Sequence, residues 1–302
     1  MEKTTEAYLA GYVALVGEPN VGKSTLLNAI LKQKISIVTN KPQTTRHKIL
    51  GIHSSDKCQI IFLDTPGIIK PKYLLHEAMM QFASSALNDA DLVLFLVDAE
   101  QIRNGAYHND NEAVHKIQST KKKTFLVINK IDTVEKAHVL PMIESLQKIF
   151  PFDEIFPISA LKDFGVKELV ASIVKVLPEH APYYPPDIVS AAPEKFFVSE
   201  IIREQIFERY AQEIPYSVTV DIIEFKERSA SKHFISAEIY VERQSQKGIL
   251  IGKEGKALKA LGGAARKGIK QFLGHSVFLE LHVKVREQWR EQEQWLKRLG
   301  YN

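Results

Sequence analysis

The chain has 302 residues, 45% of them apolar and 25% charged, a length and composition that suit two soluble globular domains better than one. No apolar run approaches the roughly 18 residues that span a bilayer, and the opening Met1-Glu2-Lys3-Thr4-Thr5-Glu6 lacks the basic-then-apolar order of a secretion signal, so the expected location is cytoplasmic. The single cysteine, Cys58, excludes an internal disulfide and a cysteine zinc cluster, the ten histidines show no ligand spacing, and a net charge of +4 is too mild by itself to establish a nucleic-acid partner.

Val13-Ala14-Leu15-Val16 reads as a strand and Thr25-Leu26-Leu27-Asn28-Ala29-Ile30-Leu31 as a helix. Between them lies Gly17-Glu18-Pro19-Asn20-Val21-Gly22-Lys23-Ser24, the pattern of a phosphate-binding loop at a helix N-terminus. Glycine at both ends lets backbone N–H groups wrap a triphosphate. In that reading Lys23 reaches the β- and γ-phosphates, Ser24 ligates Mg2+, and Thr25 bonds the α-phosphate. Asn20 is a candidate ligand for K+ beside the phosphates, or a brace for the turn.

Pro42-Gln43-Thr44-Thr45-Arg46 sits in a polar stretch that reads as a switch, with Thr45, or else Thr44, completing the magnesium shell when a γ-phosphate is present. Gln59-Ile60-Ile61-Phe62-Leu63 reads as a buried strand delivering Asp64-Thr65-Pro66-Gly67 at its end. There Asp64 holds magnesium through water and the Gly67 N–H senses the γ-phosphate. Ile68 then occupies the place where a water-orienting glutamine is common, which predicts slow intrinsic hydrolysis or a water held by another group.

Thr124-Phe125-Leu126-Val127-Ile128 reads as a further strand ending in Asn129-Lys130-Ile131-Asp132. The Asp132 carboxylate matches the N1–H and amino donors of guanine, whereas adenine has no such pair on that edge, so the nucleotide is GTP or GDP. Ile155-Phe156-Pro157-Ile158 leads to Ser159-Ala160-Leu161, whose N–H groups are placed to meet guanine O6. Lys23, Thr45 and Gly67 are the residues expected to act on the reacting phosphate.

Residues 179–193, with Pro182, Pro185, Pro186 and Pro193, resist helix and sheet and read as a linker between a domain 1–178 and a domain 194–302. Beyond it the pattern runs helix (194–214), strand (217–225), strand (235–242), Gly248-Ile249-Leu250-Ile251-Gly252-Lys253-Glu254-Gly255-Lys256, helix (258–272) and strand (279–285), with a terminal helix over 287–299 carrying Trp289 and Trp295 packed on the sheet. From 248 to 275 six basic residues (Lys253, Lys256, Lys259, Arg266, Lys267, Lys270) face one acid, Glu254, a phosphate-binding excess of +5. The order of elements around Gly252-Lys253-Glu254-Gly255, with Ile249 and Ile251 before it, is similar to that of a type II KH domain, which binds RNA at its GxxG loop.

Taken together, Pro42 to Arg46, Asp64 to Ile68, Asn129 to Asp132 and Gly252 to Gly255 resemble the Era family of bacterial GTPases over essentially the whole chain. The resemblance implies an α/β P-loop GTPase domain, its mostly parallel sheet flanked by helices, followed by an α+β KH domain. It implies GTP hydrolysis with Mg2+, binding of small-subunit (16S) ribosomal RNA near its 3′ end, and a role in maturation of the 30S subunit precursor. It also implies some peripheral contact with the inner membrane. A monomer is expected, and the switch segments around Thr45 and from Gly67 to Leu75, which order around γ-phosphate and magnesium, are expected to make RNA engagement depend on nucleotide state.

Overall fold

The computed structural model describes residues 7–107, 111–228 and 232–301, so the Met1 to Glu6 segment lies outside the described residues. Contacts divide the chain into two compact units, one of residues 1–36, 45–72 and 76–191, the other of residues 37–44, 73–75 and 192–302.

The first unit is built on β1 (Leu9–Val16), which hands over through the phosphate loop to α1 (Lys23–Leu31). There follow β2 (Ile49–Ser54), β3 (Cys58–Asp64), α2 (Leu74–Asp89), β4 (Leu92–Asp98), α3 (Ala99–Arg103), α4 (Glu112–Gln118), β5 (Lys123–Asn129), α5 (Val139–Gln147), β6 (Glu154–Pro157) and α6 (Val166–Val176). The six strands lie in the order β2-β3-β1-β4-β5-β6. Only β2 is antiparallel to its neighbour. Strands β3 and β4 are buried along their entire length, as expected of parallel strands covered on both faces. The phosphate loop, Asp64 to Gly67, Asn129 to Asp132 and Ser159 to Leu161 lie at the C-terminal ends of β1, β3, β5 and β6, the end at which open α/β sheets bind ligands, and Pro42 to Arg46 lies between α1 and β2.

The segment 179–191 forms neither helix nor extended strand, yet it is hydrogen-bonded to the first unit. Glu179 bridges Leu9, the Tyr183 and Tyr184 N–H groups donate to Gln59 Oε1 at 2.8 and 3.0 Å, and Ile52 N–H donates to Val189 O at 2.8 Å.

The second unit runs α7 (Glu194–Arg209), α8 (Ile214–Ser217), β7 (Thr219–Lys226), β8 (His233–Val241), α9 (Gln244–Ile251), α10 (Lys256–Leu273), β9 (Val277–Val285) and α11 (Glu293–Arg298). Its sheet has the order β7-β8-β9, antiparallel then parallel, with a bulge between Ile222 and Glu224. Alternate residues Ile235, Ala237, Ile239 and Val241 of β8 are buried against Leu261, Ala265 and Ile269 of α10 in one apolar core. This is the period-2 strand meeting the period-3.6 helix that the sequence anticipates.

Two expected elements differ. The helix expected over 194–214 ends at Arg209, because Tyr210 turns to extended backbone, and α8 restarts at Ile214 with Pro215 in its first turn. The terminal helix over 287–299 is a 3-10 turn at Trp289–Glu291 followed by α11. Gln288 takes a left-handed φ of 50°, which breaks the helix, while buried Trp289 donates its indole N–H to Ser217 O at 2.8 Å. Trp295 meets the Tyr240 ring edge-on, with Arg286 and Arg298 over its own ring at 4.7 and 4.8 Å.

Candidate nucleotide and RNA sites

Gly22 enters α1 at φ 97°, and a Cβ there would lie 2.1 Å from Asn129 Nδ2, so this position admits no side chain. The next residue, Lys23, is 6% exposed, and its Nζ donates to Gly17 O at 3.0 Å and Glu18 O at 2.8 Å, curling the loop around the ammonium. Burial pulls its pKa down to about 8, against the opposing charges of Asp64 and Glu18.

Ser24 Oγ donates to Asp64 Oδ2 at 2.7 Å and lies 2.9 Å from Thr45 Oγ1, while Ser36 Oγ donates to the same Asp64 oxygen at 2.9 Å. The other oxygen, Asp64 Oδ1, is buried with no hydrogen-bond partner. Burial raises the Asp64 pKa, partly offset by the Ser24 hydrogen bond and the Lys23 charge. Two neighbouring ligands of an octahedral Mg2+ bound at 2.0–2.1 Å stand about 3.0 Å apart. The Ser24–Thr45 separation matches that edge, and the orphaned Asp64 oxygen provides a carboxylate for a water on the ion, so these residues fit magnesium. Thr44 is turned elsewhere, its hydroxyl bonded to Thr39 Oγ1 at 2.7 Å and Lys41 O at 2.8 Å. Ile68 is 5% exposed within the apolar core, and its N–H donates to Gly17 O at 3.0 Å.

At the other end of the site, Asn129 Nδ2 donates to Val21 O at 2.8 Å and its Oδ1 accepts from Ala160 N–H at 2.9 Å, so one amide ties the phosphate loop, the base-reading loop and the Ser159 loop together. Lys130 adopts φ 63° and its Nζ reaches Asp98 Oδ2 at 2.6 Å, while Asp132 is exposed at the rim. Of the three N–H groups expected to meet guanine O6, that of Ser159 is bonded to Phe164 O and that of Ala160 to Asn129; Leu161 is 75% exposed. Glu18, Pro19, Asn20, Thr65, Pro66 and Gly67 lie on the same loops and Thr25 in the first turn of α1, with Thr65 Oγ1 anchored to Leu15 O at 2.7 Å.

Sequence reasoning passed over four polar residues that brace the site. Asp98 caps α3 and pairs with Lys130, Asn111 Nδ2 donates to Glu18 Oε1 at 2.7 Å, Ser36 bonds Asp64, and Asn28 Oδ1 accepts from the Ile35 and Ser36 N–H groups at 3.0 Å. An aspartate ending an apolar run, as in Leu92 to Asp98, was the signal available for the first of them.

In the second unit, Gly252 (φ 70°), Glu254 (φ 54°) and Gly255 (φ 73°) turn the chain between α9 and α10. A Cβ on Gly252 would lie 2.6 Å from Ala257 Cβ, whereas Gly255 faces open space and is required only by its backbone angle. Lys253, Lys256, Lys259, Arg266, Lys267 and Lys270 are all exposed, Glu254 pairs with Lys256 at 2.8 Å, and Ile249 presents an apolar surface 55% exposed beside the loop while Ile251 is half-buried. An open groove beside Ile251 is lined by Lys247 of α9 and by Leu281, His282 and Lys284 of β9, residues that the sequence reading did not single out.

Comparison with known proteins identifies two families along the chain: residues 12–130 match the family described as 50S ribosome-binding GTPase, and residues 213–290 match the KH domain. The chain is 45% identical over 295 residues to the protein named GTPase Era of Lactobacillus helveticus, covering 98% of this chain and 97% of that one. It is 47% identical over 295 residues to GTPase Era of Geobacter metallireducens, covering 97% and 98%. Among solved structures it is similar to a single-substitution variant of Aquifex aeolicus Era bound to GDP and AlF4−, with a TM-score of 0.91 and 41% identity over 97% of this chain and 99% of that one. It is likewise similar to Era in complex with MgGDPNP and nucleotides 1506–1542 of 16S ribosomal RNA, with a TM-score of 0.92 and 40% identity over 97% and 99%.

Proposed function

The chain belongs to the Era family of GTPases, and from that premise we propose that it binds the 3′ end of small-subunit ribosomal RNA through residues 249–270, acts in maturation of the 30S subunit precursor, and engages RNA according to its nucleotide state. Its activity is hydrolysis of GTP. A solved relative holds MgGDPNP together with nucleotides 1506–1542 of 16S ribosomal RNA, which supports the RNA assignment for this chain. The observation that carries the reading is the convergence of Ser24, Thr45 and the orphaned Asp64 oxygen at one end of the phosphate loop, in a chain whose second unit displays the basic Gly252 to Gly255 loop.

Lys23 and the loop N–H groups would hold the β- and γ-phosphates, and Ser24, Thr45 and Asp64 would hold magnesium, Asp64 through water. Magnesium held there would supply positive charge against the phosphates, while Lys23 and the loop N–H groups orient them. Asp132 reads guanine by accepting from its two donors, and Asn129 keeps that loop in register with Val21. Ile68 is apolar and packed in the core, so it places no water on the γ-phosphate; hydrolysis is accordingly slow without added help. Asn20, at the mouth of the loop, is proposed to hold K+ there.

The proposed division is a GTPase domain of residues 1–178, a connector of residues 179–193 and a KH domain of residues 194–302. The protein is proposed to act as a monomer in the cytoplasm. Peripheral contact with the inner membrane is proposed with it; no helix among the described residues is long and apolar enough to cross a membrane. Crosslinking the protein to cellular RNA and sequencing the recovered fragments tests the partner. Fragments concentrated at the 3′ end of small-subunit RNA support it, and a spread without that enrichment overturns it.

A further inference from the structure

Helix α10 carries Gly262, Gly263 and Gly268 in its interior, where only proline is less favourable than glycine. Two of them have a packing reason: a Cβ on Gly268 would lie 2.9 Å from Ile201 Cγ2, and one on Gly262 would lie 3.4 Å from Leu281 Cδ1. Gly263 has none. It is exposed in the middle of the helix, and a Cβ there would meet no atom within 4 Å.

Charge of one sign surrounds it. At about 100° per residue, Lys256, Lys259, Gly263, Arg266, Lys267 and Lys270 fall within one arc of about 100°, away from the buried Leu261, Ala265 and Ile269. All of these cations are exposed, and between Glu254 and Glu280 the chain has no acidic residue. Lys256 pairs with Glu254, whereas Lys259, Arg266, Lys267 and Lys270 are in no ion pair among the described residues. From Lys256, next to the Gly252 to Gly255 loop, the row runs about 21 Å to Lys270, at about 1.5 Å per residue. A row of cations that long matches a polyanion with repeating charges better than a compact anion. A lipid surface fits less well, because a helix lying on a membrane buries its apolar face there, and the apolar face of α10 is already packed in the core.

We propose that α10 continues the RNA track beyond the loop: the sugar–phosphate backbone of a bound RNA strand runs along this basic row and crosses the helix at Gly263, where the missing side chain lets it touch the helix backbone. This rests on the reading of the Gly252 to Gly255 loop as RNA-binding. A KH loop clamps about four nucleotides, so the row on α10 serves the part of the strand that the loop does not reach, and it does so without reading sequence.

The test is RNA affinity of the full-length chain at several salt concentrations, for a strand of about 12 nucleotides from the 3′ end of small-subunit ribosomal RNA and for one of about five, which the loop alone accommodates. Gly263→Ala and Gly263→Gln are expected to weaken binding of the longer strand by about threefold and about tenfold, while the melting temperature stays level or rises, because both residues are better helix formers than glycine. The opposite signs separate a lost contact from a damaged fold. Replacing Lys267 and Lys270 together with Ala is expected to weaken the longer strand about tenfold and to lower the slope of log affinity against log salt by about 1.4, the contribution of two phosphates on a single strand. The shorter strand is expected to bind all these variants within about twofold of wild type. Wild-type affinity and salt slope for the longer strand in the Gly263→Gln and Lys267→Ala/Lys270→Ala variants overturn the proposal, provided that Lys253→Asp loses binding. A Lys253→Asp variant that binds as wild type removes the loop reading, and the proposal falls with it.

Discussion

The Ser24 and Thr45 hydroxyls stand 2.9 Å apart although 20 residues separate them in sequence, and Ser24 is at the same time bonded to Asp64. Oxygens from the phosphate loop, the switch and the end of β3 are thus gathered in one hydrogen-bonded cluster, the site proposed for magnesium. Replacing Thr45 with Ala is expected to cut hydrolysis by about tenfold or more at limiting Mg2+ and to spare GDP binding, because only the triphosphate state uses the switch. Thr44→Ala, which removes a hydroxyl bonded to Thr39 and Lys41, is expected to change the rate by less than about threefold. Hydrolysis assays at low and saturating Mg2+ distinguish them, and equal losses in the two variants contradict the assignment.

Lys23 makes a pH dependence. Without nucleotide its pKa is pulled down to about 8 by burial, and bound phosphates favour the charged form and push the pKa back up. Binding therefore takes up a proton above about pH 8, and affinity is highest below that value and falls as pH rises through it, by up to about tenfold per unit until the pKa of the complex is reached. The sign for the nucleotide-free fold is opposite. The unfolded chain, with a lysine near 10.5, binds more protons than the folded one between about 8 and 10.5, so this group's contribution to stability rises with pH over that window. Calorimetric titrations with GDP at pH 7, 8 and 9 in two buffers of different ionisation enthalpy check it. Affinity independent of pH contradicts it.

Much of this site was legible because motif and element coincide: an apolar run ends and the chemistry begins, as at Val16, Leu63 and Ile128. The bracing residues were not. Asp98 stands beside Asn129 only through the parallel register of β4 and β5, and Asn111 meets Glu18 across 93 positions, neither of which any local spacing encodes. The second unit is legible almost element for element in its alternating strands and amphipathic α10, yet Glu200, Arg203 and Glu204 pass in sequence for a solvated face. They are buried because residues 37–44 lie over them, a contact no helical periodicity announces. The break at Gln288 was hidden for a similar reason, since it follows from where Trp289 must go to reach Ser217.

Asp132→Asn is expected to move preference from guanine toward xanthine nucleotides, because xanthine carries a carbonyl where guanine carries the amino donor and an amide can donate to it. Parallel affinity measurements with GTP and XTP check the exchange. A variant that still prefers GTP by the wild-type margin means that Asp132 does not read the base.

Potassium is expected to accelerate hydrolysis relative to sodium at matched ionic strength, since Asn20 offers a cation ligand beside the phosphates and Ile68 offers nothing to the attacking water. Asn20→Ala is expected to erase the difference between the two salts. Equal wild-type rates in both salts remove the cation from the account, and Ile68→Gln is expected to change little in either case.

Nucleotide state is proposed to govern RNA engagement, and RNA affinity measured in three states is the test. A fragment from the 3′ end of small-subunit ribosomal RNA is titrated with the full-length protein at one fixed salt concentration, with a GTP analogue, with GDP and with no nucleotide. The expected result is tighter binding with the GTP analogue than with GDP by about 5- to 150-fold, the same factor by which RNA tightens binding of the analogue, and loss of binding in all three states for Lys253→Asp. Equal affinities in the three states would mean that nucleotide state does not govern RNA engagement.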